Sequence, residues 1–89
     1  MNFMNELDLL RNKIDEIDTK LCELFENWME IAKALGQYKK EHNLDVLDVS
    51  REEIVLNKAK ERIKNKDLEE YYLKLVVYLM DLSKKYQND

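Results

Sequence analysis

The feature of this sequence that most constrains its fold is a long stripe of apolar residues in its first half. Between about residues 6 and 41 the apolar side chains recur at alternating spacings of three and four, the pattern of a helix that packs lengthwise against other helices. No proline interrupts the stretch, and its only glycine is Gly36. It therefore predicts one unbroken amphipathic helix. The stripe consists of Leu7, Leu10, Ile14, Ile17, Leu21, Leu24, Trp28, Ile31, Leu35 and Tyr38.

The length of this helix predicts an oligomer. At 1.5 Å per residue it would reach roughly 50 Å, about four times the radius of gyration of ~12–13 Å expected for a compact domain of this size. A chain of 89 residues cannot cover both sides of such a rod. We therefore expect a second copy of the chain to supply the missing contacts, in an intertwined helical homodimer.

Composition predicts the all-α class. The sequence has no proline and one glycine, and it is 38% charged and 45% hydrophobic, which is the composition of a helical bundle. A chain this short makes one domain, expected over residues 1–89. The apolar periodicity predicts three helices, at about residues 6–41, 49–64 and 68–87.

Local signals predict where these helices begin and end. Asn43 is a plausible left-handed cap after helix 1. Helix 2 has two candidate caps: Ser50, which forms a capping box with Glu53, or Asp48. Asp67 is expected to cap helix 3.

The charge and cysteine content exclude several functions. A net charge of -4 argues against general binding to nucleic acids or membrane surfaces, which favours a basic face. Cys22 is the only cysteine and His42 the only histidine, so we expect neither an internal disulfide nor a metal site. The chain starts without the features of a signal peptide and has no apolar run approaching ~20 residues. We therefore expect a cytoplasmic protein.

Two groups of polar residues are candidates for a binding site. Lys39 lies eleven residues after Trp28, hence within about 20° on the same helix face, and Gly36 is among the small residues between them. This gap beside a cation is suited to a ligand, although a lysine that extends to solvent also explains it. Ser83 and Gln87 are a polar i, i+4 pair near the chain's end, where exposure of the last turn is the alternative.

A third group lies at the start of helix 2. Asp48, Arg51 and Glu52 occupy positions i, i+3 and i+4 and would project together. Helix capping with an ion pair is the simpler explanation. Arg11 lies beside the apolar stripe of helix 1, where an ordinary surface charge is the alternative.

Together these segments resemble the all-helical chorismate mutases. The resemblance covers about residues 6–87, and it implies an intertwined homodimer of three-helix chains that converts chorismate to prephenate, the entry to phenylalanine and tyrosine synthesis, without a cofactor. The segments are Leu10-Arg-Asn-Lys-Ile-Asp-Glu-Ile-Asp18, Ala32-Lys-Ala-Leu-Gly-Gln-Tyr-Lys39, Val46-Leu-Asp-Val-Ser-Arg-Glu-Glu53, and Ser83 with Gln87.

The resemblance also implies roles for individual residues. Lys39 and Gln87 would donate hydrogen bonds to the ether oxygen that leaves during the rearrangement. Arg11 of the partner subunit would serve a substrate carboxylate, because residues 11 and 39 of one straight helix are roughly 40 Å apart. Arg51 would serve the other carboxylate. Glu52, Ser83 and the backbone near Asp48 would bind the hydroxyl group and the remaining polar atoms.

One position departs from the family pattern. Where these enzymes carry an arginine that clamps a substrate carboxylate, this chain has Trp28, which packing on the apolar stripe also explains. The change removes a charge-assisted contact worth about 1.5–3 kcal/mol, so we expect weakened activity. Two alternatives to a chorismate mutase stay open: a catalytically impaired or engineered helical dimer with a scaffold or regulatory role, and a related lyase that acts on isochorismate.

Overall fold

A computed structural model describes residues 5–89 and confirms the all-α class. Helix α1 spans Glu6–Glu41, α2 spans Val49–Arg62 and α3 spans Glu69–Asn88, with a short 3-10 turn at Lys66–Leu68 before α3. No strand occurs between residues 5 and 89. The helix bounds lie within two residues of those predicted from the sequence.

The chain divides into two compact units, one that ends at Glu30 and one that spans Ile31–Asp89. The described part of the first unit is almost entirely the N-terminal portion of α1. The second unit holds the last turns of α1, both shorter helices and the connections between them. A single domain over residues 1–89 stays a prediction.

The end of α1 is capped as predicted. Asn43 has a φ of 55°, in the left-handed region that asparagine tolerates better than most residues. The amide of Leu44 donates to the carbonyl of Lys39 at 2.7 Å, and the amide of Asn43 donates to the carbonyl of Lys40 at 3.4 Å. These are the two hydrogen bonds of a Schellman motif, which satisfies carbonyls that the helix leaves open and directs the chain toward α2.

Of the two candidate caps for α2, the structure has Asp48. Its backbone is extended and its carboxylate accepts a hydrogen bond from the amide of Arg51 at 3.0 Å, whereas Ser50 lies inside the helix. The prediction that Asp67 caps the third helix is wrong. Asn65 caps the preceding 3-10 turn instead, because its side chain accepts from the amide of Asp67 at 3.1 Å.

The hydrophobic core of the described chain consists of small residues. Ala32, Ala59 and Val76 are buried, and no large side chain between residues 5 and 89 is fully buried. Small side chains let helix axes approach closely, but they remove little apolar area from water. Most of the larger apolar residues remain about half exposed.

Candidate active site

The candidate site lies in the second unit, where the last turns of α1 and α3 come into contact at Gly36. A Cβ atom at this position would lie 2.9 Å from both Cβ and Cγ of Gln87 and 3.1 Å from its Cα. Ordinary contacts of this kind are 3.4–4 Å, so only glycine allows α3 to approach α1 this closely here. The contact fixes the stem of the Gln87 side chain against α1.

The carboxamide of Gln87 ends in a buried position. Its Oε1 atom accepts no hydrogen bond from the residues that the structure describes. A buried polar atom without a partner costs about 1–3 kcal/mol, which a bound group would recover. The oxygen and nitrogen ends of a carboxamide have nearly the same shape, so rotation of the group presents either a donor or an acceptor.

Lys39 lies three residues after Gly36, one turn further along α1. Its Nζ donates to the carbonyl of Val46 at 2.9 Å, and the side chain is half buried. The ammonium is thus directed toward the connection between α1 and α2. An ammonium carries three N–H groups, so this bond leaves donors for a ligand.

The three candidates at the start of α2 have different surroundings. The Asp48 carboxylate caps the helix, which is the simpler explanation that the sequence offered. Arg51 is exposed and makes no ion pair with any residue from 5 to 89. Glu52 is half buried and pairs with Lys84 of α3. An ion pair within the group, the other part of that explanation, is absent from the described residues.

Lys84 is a site neighbour that sequence reasoning missed. Its Nζ lies 2.7 Å from Oε1 of Glu52 and 3.4 Å from Oδ1 of Asp81. The hydrogen bond to Glu52 raises the pKa of Lys84 above its ordinary value, against the opposing effect of desolvation, and Asp81 adds to the increase. No local signal predicts the Glu52 contact, because its partners are 32 residues apart.

Ser83 lies on the same face of α3 as Gln87, one turn earlier. It is buried, with 8% of its surface exposed, so simple exposure of the last turn does not explain it. Its hydroxyl donates to the carbonyl of Leu79 at 2.8 Å.

Lys33 was also missed, and it anchors the end of α3. Its Nζ donates to the carbonyl of Tyr86 at 3.2 Å and lies 4.7 Å from the centre of the Tyr86 ring. A cation at the C-terminus of a helix is favourable because the open carbonyls there carry partial negative charge. Since Tyr86 precedes Gln87, the contact helps to hold Gln87 against α1.

Two predicted site residues, Arg11 and Trp28, belong to the first unit. Arg11 is exposed, and Trp28 is 38% exposed. The other six predicted site residues belong to the second unit: Lys39, Asp48, Arg51, Glu52, Ser83 and Gln87.

Reactive side chains of other kinds play no visible part in this site. The Cys22 thiol is exposed in the first unit, and its hydrogen bond to Glu26, at 3.6 Å, raises its pKa, which lowers its reactivity. No group of three metal-ligating side chains that could hold an ion occurs in residues 5–89. No helix in the same range is long and apolar enough to cross a membrane.

Fold and candidate site together define a class: a small all-α protein whose candidate site contains hydrogen-bond donors and cations, as would suit a small anionic ligand. Residues 10–88 match the family model of chorismate mutase type II. The chain therefore belongs to the chorismate mutase type II family, and the predictions of family and fold are confirmed. Membership favours a chorismate mutase over the scaffold and lyase alternatives.

Two individual proteins are similar to the chain. The T-protein of Haemophilus influenzae is 36% identical over 52 residues, which make up 58% of this chain and 14% of that protein. The chain thus spans about one seventh of the length of this relative. A solved structure, a conserved hypothetical protein from Pyrococcus furiosus, is 36% identical with a TM-score of 0.72, and the match covers 96% of this chain and 99% of that one.

Proposed function

We propose that this chain catalyses the rearrangement of chorismate to prephenate. The observation that carries the proposal is the junction of α1 and α3, where Gln87 packs on Gly36 with its carboxamide oxygen buried, one helical turn from Lys39. These two side chains are the donors that the family pattern assigns to the ether oxygen. Cytoplasmic action in aromatic amino acid synthesis is part of the same proposal.

The chemistry of the reaction fits such a site. The rearrangement is intramolecular: the ether C–O bond breaks as a new C–C bond forms, so no covalent catalyst or cofactor is required. The protein must hold the substrate in its folded conformer and stabilise the negative charge that develops on the ether oxygen. Lys39 supplies a positive charge and Gln87 an N–H donor for that oxygen. Both are held by contacts within the protein before the substrate arrives.

The remaining groups of the second unit suit the rest of the substrate. The exposed guanidinium of Arg51 is available to a carboxylate, and a planar guanidinium binds carboxylates through two parallel hydrogen bonds. Glu52 is proposed to accept a hydrogen bond from the substrate's hydroxyl group. Ser83 and the backbone near Asp48 are proposed to contact the other polar atoms.

We also propose that the active protein is a homodimer, in which Arg11 of the partner subunit completes each site. The stripe residues of the first unit support this: from Leu7 to Leu24 each is between 52% and 63% exposed. Full burial of a leucine or isoleucine contributes about 1.5–3 kcal/mol, so leaving this row in water is costly. A second copy presents the same apolar row and can cover it.

The activity is tested by following the loss of chorismate spectrophotometrically with the purified chain. We expect turnover, and Lys39→Ala should reduce it about 100-fold, as loss of a charge-stabilising donor typically does. Lys40→Ala is the matched control, because Lys40 is the next residue of α1 and is exposed. No turnover by the parent chain refutes the proposal, and equal losses in both variants refute the role of Lys39.

The assembly is tested by light scattering. We expect about twice the chain mass of 10.8 kDa at micromolar concentration. A stable folded monomer under these conditions would contradict the proposed dimer.

A further inference from the structure

The ion pair between Lys84 and Glu52 joins α3 to α2. The distance of 2.7 Å from Nζ to Oε1 is that of a charge-assisted hydrogen bond, the stronger kind. The two side chains are only 31% and 27% exposed, so the pair is better shielded from water than a typical surface pair. It also links residues far apart in sequence. The contact therefore fixes two side chains across a helix interface.

Asp81 restrains Lys84 from the other side. Its Oδ1 lies 3.4 Å from Nζ of Lys84, and the two residues are three positions apart on α3. A free lysine loses much rotamer entropy when it is fixed, and a second partner on its own helix limits the conformations it samples beforehand. Asp81 thereby directs the ammonium toward Glu52.

This arrangement leaves one oxygen of Glu52 for another partner. Lys84 donates to Oε1, whereas Oε2 makes no hydrogen bond with any residue from 5 to 89. Lys84 also follows Ser83 directly and lies three residues before Gln87, along the segment of α3 that carries the other proposed contacts. We propose that Lys84 is a positioning residue, which holds the Glu52 carboxylate so that its second oxygen accepts a hydrogen bond from the substrate's hydroxyl group. The inference rests on the proposed function.

The charge of Lys84 serves the same end. A carboxylate in the site would repel a substrate that itself carries two carboxylates. The adjacent ammonium offsets the charge of Glu52 while leaving its acceptor capacity in place. A neutral residue at position 84 would both release the Glu52 side chain and restore the repulsion.

The test compares kcat and KM for chorismate among the parent chain, Lys84→Met, Lys84→Arg and Lys85→Met. We expect Lys84→Met to lower kcat/KM about tenfold, the usual effect of one charge-assisted contact, and Lys84→Arg to recover most of it. Lys85→Met is the matched control: Lys85 is the next residue of α3, is exposed and should leave kcat/KM unchanged. Circular dichroism and thermal melts check that each variant folds.

A double-mutant cycle separates positioning from a merely structural role. Glu52→Gln should lower kcat/KM clearly in the parent chain but hardly at all in the Lys84→Met background, because the carboxylate is then already misplaced. If Lys84→Met does not fold, Asp81→Asn takes its place in the cycle, since it loosens Lys84 without removing its charge. In the Asp81→Asn background, too, Glu52→Gln should lower kcat/KM less than it does in the parent.

The outcomes are distinguishable. If the parent turns over chorismate, two results overturn this inference and leave the proposed function standing. One is a full kcat/KM in Lys84→Met. The other is a double-mutant cycle in which the free-energy losses of the two single variants simply add. Absence of turnover in the parent refutes the proposed function, and the role of Lys84 with it.

Discussion

Replacing Gly36 by alanine tests the contact on which the site is built. The added Cβ would lie 2.9 Å from two side-chain carbons of Gln87 and 3.1 Å from its Cα, where ordinary contacts begin at 3.4 Å. One of the three atoms is backbone, so rotation of the Gln87 side chain cannot relieve the overlap completely. The end of α3 must move away from α1 by about half an ångström.

Two opposing effects set the magnitude. Overpacking a close contact costs about 1–3 kcal/mol, whereas alanine in a helix interior is about 1 kcal/mol more favourable than glycine. The net loss of stability should therefore lie between about 0 and 2 kcal/mol. For a domain of this size each kcal/mol shifts Tm by about 4–8 °C. The effect on activity should be larger, because misplacement of a catalytic group by 1 Å can cost about 100-fold in rate.

The assay pairs chorismate turnover with thermal melts at one fixed protein concentration, because the Tm of an oligomer depends on concentration. For Gly36→Ala we expect at least tenfold lower kcat and a modest fall in Tm. Ala34→Gly is the control, since it changes helix propensity by about the same amount in the reverse direction at an exposed position of α1. A Gly36→Ala protein that keeps full turnover and melts higher than the parent would refute the close approach of the two helices.

Three further results are expected. Trp28→Arg should raise kcat/KM at least tenfold, because it restores a cation for a substrate carboxylate, and each 1.4 kcal/mol recovered is about tenfold in rate. Lys33→Met should clearly lower kcat while changing Tm little, because it frees the last turn of α3, which carries Gln87. The raised pKa of Lys84 means that its ion pair with Glu52 stabilises the fold fully below the ordinary lysine value of 10.5, and that this contribution is lost as the pH rises through the higher folded-state value.

Each of these predictions has a contrary outcome. If the parent already has the activity of an unimpaired enzyme, or Trp28→Arg folds well and gains nothing, position 28 is not the missing anchor. An unchanged kcat in Lys33→Met would show that the contact of Lys33 with Tyr86 is not needed to hold the end of α3. For the pH prediction, the Tm difference between the parent and Lys84→Met should shrink at strongly alkaline pH, and a difference that grows would contradict it.

Features that depend on neighbours in the sequence were predictable. Helix geometry relates residues three and four apart, so the apolar stripe located α1 and its length. Asn43 and Asp48 were identified as candidate caps because their short polar side chains suit these positions, and both are confirmed. Asp67 was misassigned because the Asn65 side chain caps a 3-10 turn that precedes α3, which places Asp67 inside that turn. The order and spacing of the segments from Leu10 to Gln87 indicated the family.

Only the tertiary structure decided which polar groups meet. Periodicity assigns a residue to a helix face. It does not say which face of another helix packs against it, or how the two helices are shifted along their axes. The pairs Lys84 with Glu52 and Lys33 with Tyr86 join residues 32 and 53 positions apart, so no local rule predicts them. The sequence supplied Gly36 and Gln87 as separate residues, and packing of α3 against α1 makes them one contact. The amino-acid sequence by itself determined the helices and the family, whereas the positions of the site's donors and charges follow from how those helices pack.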